Sequence, residues 1–107
     1  MAQELDARQM AADEVIACWP SVKPKQVFGH RGYVRSGHMF AFMADSGLAI
    51  KAASPGDAEA LYEAGRAEPF VYNGTMEMRR WPVMPLGGDS ELTDALSSAR
   101  EAYESAE

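Results

Sequence analysis

The stretch from Val27 to Lys51, VFGHRGYVRSGHMFAFMADSGLAIK, constrains the fold of this chain more than any other. Its apolar runs are separated by Ser36-Gly37 and by Asp45-Ser46-Gly47, turns short enough that each run must return beside the one before it. Strands joined so tightly run antiparallel. In the run His38 to Ala44, Met39, Ala41 and Met43 fall on one face, and Phe40, Phe42 and Ala44 on the other. A strand apolar on both faces belongs near the centre of a sheet, covered on both sides.

Around this meander the sequence supplies helices. Ala2 to Trp19 reads as the first, with Leu5, Met10, Val15, Ile16 and Trp19 as an approximate apolar stripe, and Pro20 ends it. Ser21 to Lys25, containing Pro24, is a short connector. The first strand is expected over Gln26 to Phe28, passing Gly29 and Gly32 as a bulge or close backbone approach and resuming from Tyr33 to Arg35. Leu48 to Lys51 makes the third strand. Ser54-Pro55-Gly56-Asp57 then opens a helix with a capping serine, a proline at the first helical position and an acid at the positive end of the dipole. Ala58, Leu61 and Tyr62 face inward, and Gly65 closes it.

Glu68 to Tyr72 is a fourth strand, Asn73-Gly74 a turn, and Met76 to Met84 a fifth strand that Pro82 should confine to a sheet edge or strand end. Asp89 or Ser90 caps a last helix whose Leu92, Ala95, Leu96, Ala99, Ala102 and Tyr103 form a one-sided stripe. The order is helix, three strands, helix, two strands, helix: an α+β domain with an antiparallel five-stranded sheet, occupying residues 1–107 as one unit.

With 107 residues, 47% of them hydrophobic and 24% charged, the chain can bury a core without metal or disulfide staples. One cysteine, Cys18, excludes an intramolecular disulfide and a Cys-pair zinc site; at the end of a helix it should be a packing residue, since a helix C-terminus disfavours a thiolate. The acidic, polar start is unlike a signal peptide, and no segment approaches the roughly 18 apolar residues of a membrane helix, so a cytoplasmic protein is expected.

No pattern of catalytic residues stands out. The glycines lack the strand-to-helix context of a phosphate-binding loop, no G-x-S-x-G elbow occurs, and His30 and His38 have too few neighbouring acids or thiols to form a metal site. No catalytic, cofactor-binding or metal-ligating residue is therefore expected. Charge is unevenly distributed. Residues 21–51 carry +4, against -3 for 1–20, -3 for 52–72 and -4 for 73–107. Lys25, Arg31, Tyr33, Arg35 and Lys51 are the candidate interaction surface, for an acidic partner or nucleic acid. Equally, these cations can guard a sheet edge and pair with the acidic helices. A net charge of -6 makes autonomous nucleic-acid binding poor, because that affinity rests on phosphate neutralisation. Methionines at 39, 43, 76, 78 and 84 point to core or an adaptable interface. Apolar sheet surface left uncovered by a single helical layer predicts a homodimer or an obligate partner.

The stretch FGHRGYVRSGHMFAFM resembles the signature that opens the N-terminal domain of the TfoX (Sxy) competence regulators, through Val27-Phe28-Gly29 and Gly37-His38-Met39-Phe40-Ala41. Leu48 to Lys51, Pro69-Phe70 and Met78 to Val83 with Trp81 resemble later strand motifs of that family. Val27 and His30 stand where the family more often has methionine and glycine, and its C-terminal helical domain has no counterpart here. The resemblance implies a two-layer α/β sandwich similar to secretion chaperones, and a non-enzymatic, transcription-related regulatory role exercised through a protein partner. Small-ligand binding in a pocket lined by Tyr33, Tyr72 or Trp81 is the remaining alternative.

Overall fold

A computed structural model describes residues 5–27, 29–45, 47–72 and 74–106. The start of the first helix at residues 2–4, the strand residue Phe28, and the turn residues Ser46 and Asn73 lie outside these. The elements are α1 (Ala7–Ala17), β1 (Lys23–Val27), β2 (His30–Arg35), β3 (His38–Met43), β4 (Gly47–Ile50), α2 (Pro55–Glu63), β5 (Glu68–Tyr72), β6 (Met76–Pro85) and α3 (Asp89–Ser105). All strands join one antiparallel sheet in the order β1-β2-β3-β4-β6-β5.

Among the described residues the sheet has six strands, one more than the sequence suggests. Lys23 to Val27, expected as a connector running into a single bulged strand, instead pairs in full register with His30 to Val34 as a separate strand. Pro24 is tolerated because β1 lies at the edge, where its missing N–H interrupts no ladder, and Gly29, at φ +80°, belongs to the turn. The Ser36-Gly37 turn falls as expected, with both residues at positive φ, as a two-residue hairpin loop of matching twist demands.

Strict alternation along β3 also fails, for an identifiable reason. Tyr33 pairs with Ala41 and Val34 with Met39, so Phe40 is an extra residue bulged out of the ladder. The bulge turns Phe40 to the same side as Ala41 and Met43 and sends Met39 to the side of Phe42 and Ala44.

Pro82 does not mark an edge. β6 lies between β4 and β5, and Pro82 stands opposite Pro69. Neither proline has an N–H to give, and the next pair is Phe70 with Met78, so residues 79–81 have no partner on β5. Two prolines facing one another thus interrupt the ladder between the edge strand β5 and its neighbour β6.

All three helices contribute to the core on one face of the sheet, around Ile16, Tyr33, Phe40, Leu48, Ala99 and Tyr103. In α1 the buried positions are Gln9, Ala12 and Ile16, whereas Met10 and Val15 are exposed. Gln9 completes a capping box with Asp6 and donates from Nε2 to the Ala44 carbonyl at 2.7 Å, which makes a glutamine suitable for a core position. Cys18, expected to pack, is instead the exposed C-terminal cap of the helix. α2 follows the expected punctuation: the Ser54 hydroxyl accepts from the Asp57 N–H at 3.2 Å, and Gly65 lies at φ +70°. α3 buries Ala95, Ala99 and Tyr103 as its stripe implies, but Gly88, and neither Asp89 nor Ser90, is the capping residue.

The opposite face carries a second core of Phe42, Ala44, Ala49 and Phe70, flanked by Met39, Met78 and Trp81. No described helix covers it; the sheet covers itself. Strands about 4.8 Å apart would place β2 and β5, four steps apart in the order, about 19 Å from each other in a flat sheet. Instead the His30 ring of β2 sits 5.6 Å from the Phe70 ring of β5 and 5.8 Å from Phe42. Curling therefore removes much of the apolar surface that would otherwise favour a dimer. Among the described residues Met76, at 60% exposure, is the most exposed of the large apolar side chains.

Gly47 sits where β4 crosses β6, and a Cβ there would collide with the Met84 carbonyl oxygen. Backbone cannot swing away as a side-chain tip can. Gly47→Ala is expected to destabilise the fold by about 2–3 kcal/mol, read as a lower urea midpoint at unchanged slope. An unchanged midpoint would show that the two strands can separate there at no cost.

Candidate binding cleft

The two helices α2 and α3 stand apart over the sheet, and small side chains keep the gap between them open. Ala60 and Ala64 line it from α2, and Ser98, Ala102 and Ser105 from α3, spaced so that each set occupies one helix face. Phe40, Ile50, Pro82 and Met84 form its floor. The cleft has a volume of about 840 Å³, within the size range of small-ligand sites. Its α2 wall, Asp57 to Ala64, is about 10 Å long at 1.5 Å per residue.

Its two ends differ. Arg66, just past the end of α2, reaches Asp94 of α3 at 3.7 Å and spans one end with an exposed ion pair. At the other end stand His38, Lys51 and Arg80. Arg80 is there because of the bulge opposite Pro69. Freed from pairing with β5, its guanidinium donates to the Ala52 carbonyl (Nη2, 3.0 Å) and the Ala53 carbonyl (Nη2, 3.2 Å). Those acceptors are neutral, so the side chain is fixed without forming an ion pair among the described residues. Its neighbour Arg79 is used differently: its guanidinium donates to Glu59 at 2.7 and 2.8 Å and to Glu77 at 2.6 Å, and it lies over the Tyr62 ring. The Arg79 bond holds the Glu59 carboxyl below its ordinary range.

The residues singled out in the sequence do not form one surface. Arg31, Tyr33 and Arg35 share the helix-covered face of β2. Tyr33, expected as a contact residue, is fully buried, because alternation sends it into the helix-side core. Its hydroxyl donates to Asp13 of α1 at 2.5 Å, and the Arg31 guanidinium pairs with the same carboxylate oxygen. Burial, reinforced by the bond to Asp13, pushes the Tyr33 phenol well above its usual pKa, and the same carboxylate raises that of Arg31. Arg35 donates to the Tyr103 carbonyl at 2.8 Å and lies 4.1 Å from the centre of its ring.

These two arginines fasten α1 and α3 to the sheet. Lys25 pairs in register with Gly32, which places it on the helix-free face. Only Lys51 lies in the cleft. None of Tyr33, Tyr72 and Trp81, the residues expected around a ligand pocket, lines it. Among the described residues no cluster of three metal-ligating side chains occurs. The cleft itself went unseen in the sequence, where Ala60, Ala64, Ser98 and Ser105 carry no signal and Ala102 reads only as part of the α3 stripe.

Because the folded state favours the protonated Tyr33, the stability this group contributes is complete below the unfolded tyrosine pKa of about 10 and falls as pH rises above it. Tyr33→Phe should cost about 1 kcal/mol at neutral pH and show a shallower loss of stability above pH 10 than the wild type, followed by urea unfolding. Identical alkaline profiles would remove the buried phenol as the cause. No protein-family model matches the chain, and no curated protein matches it significantly.

Proposed function

We propose that the protein is a non-enzymatic regulatory module that meets a protein partner through the face formed by α2 and α3, in a transcription-related role of the kind its resemblance to the TfoX N-terminal domain implies. The cleft carries this reading. It is preformed, its floor is apolar, and its walls carry small side chains, exposed at Ala60, Ala64 and Ser105, that let another backbone approach closely. Association there requires little reordering of the domain, which lowers the entropic cost of binding. The placement of the cations supports the same face. Arg31 and Arg35 act within the fold, whereas Lys51 and Arg80 stand at the cleft mouth.

Ala60 is exposed and lines the cleft, so a bulky replacement fills the gap without entering the core. Affinity capture from the native cell should lose its specific partner with Ala60→Trp and keep it with Lys25→Glu, both variants showing wild-type thermal unfolding. The opposite pattern would move the contact to the helix-free face and overturn this placement.

A further inference from the structure

We propose that the cleft also binds a small monoanionic amphiphile, a carboxylic acid with a compact apolar body, its carboxylate held between Arg80 and Lys51. This goes beyond the partner contact and stands independently of it. The argument begins with Arg80. Its Nε and Nη2 donate to the Ala52 and Ala53 carbonyls, which leaves Nη1 without an acceptor among the described residues and the guanidinium in a fixed position. Lys51, exposed and lining the same cleft, has no side-chain hydrogen bond or ion pair among the described residues. An oriented guanidinium with a second cation nearby is the arrangement that recognises a carboxylate.

The remainder of the cleft defines the rest of the ligand. Half-buried Leu61 offers an apolar wall above the buried Phe40, Ile50, Pro82 and Met84, and a wall of about 10 Å followed by the Arg66 and Asp94 pair suits a short body rather than a long chain. Asp57 and Glu101 line the same cleft. Their charges oppose a polyanion such as a nucleic-acid strand and leave room for a single negative head.

Octanoate and 1-octanol, titrated separately into the full chain and followed by amide NMR, test the assignment. Octanoate should shift the amides of Ala60, Ala64 and Ala102 saturably. Octanol should bind at least about tenfold more weakly, the difference that one charge-assisted hydrogen bond supplies. Lys51→Gln and Arg80→Gln should each weaken octanoate and leave octanol unchanged; Lys51 has no contact to lose, so its variant guards against misfolding. Absence of octanoate shifts at those amides, equal affinity for the alcohol, or indifference to both substitutions would each overturn the proposal. None of these results bears on capture of the protein partner by the Ala60→Trp test.

Discussion

A sheet backed by helices on one face has to dispose of the other, and in this protein the disposal is done by curvature. The His30 ring meets Phe42 on the adjacent strand and also Phe70, on a strand that a flat sheet would hold far away, and its Nδ1 lies 2.8 Å from the Met43 carbonyl oxygen. Aromatic edge-to-face contacts between Phe42 and Phe70, centroids 4.8 Å apart, continue that inner seam. Bulges at Phe40 and at residues 79–81 are the means, because each extra residue on one strand adds bend and twist. The methionines that suggested an interface are divided by this bending: Met43 and Met84 enter the helix-side core, Met39 and Met78 flank the inner seam, and Met76 remains outside.

The same irregularities position the cleft. Pro69 facing Pro82 opens the ladder between β5 and β6, and the unpaired segment turns Arg79 toward α2 and Arg80 toward the loop before it. Arg79 and Tyr62 then hold α2 against the sheet, the Tyr62 hydroxyl donating to the Arg79 carbonyl at 2.8 Å. On the other flank, α3 is held by Arg35 and by contacts between Tyr103, Phe40 and Trp19. Two helices anchored from opposite ends of the sheet have no need to touch each other. The cleft between them is the space left by those separate attachments.

What the sequence discloses divides along a physical line. Elements specified by local chemistry were legible: the Ser54-Pro55 helix start, the Ser36-Gly37 turn, the stripe of α3, and the two-sided burial of β3. Elements decided by partners were not. Pro24 reads as a strand breaker until β1 is known to be an edge, and Pro82 reads as an edge marker until Pro69 is found opposite it. Tyr33, flanked by arginines, looks like part of a basic surface. Its burial depends on Asp13, twenty residues upstream, reaching back to accept from both Tyr33 and Arg31. Cleft residues were hardest to see, because alanine and serine on a helix face look the same whether they meet water or a gap of defined shape.

One further bond joins the beginning of the chain to its end. The Tyr103 hydroxyl donates to the Pro20 carbonyl at 2.7 Å, where α1 has just stopped, while the Tyr103 carbonyl accepts from Arg35 in β2. A contact spanning 83 residues cannot form piecemeal. Through it the first helix, an early strand and the last helix belong to one cooperative unit, so the terminal turns of α3 serve as the clasp of the domain rather than as a detachable tail.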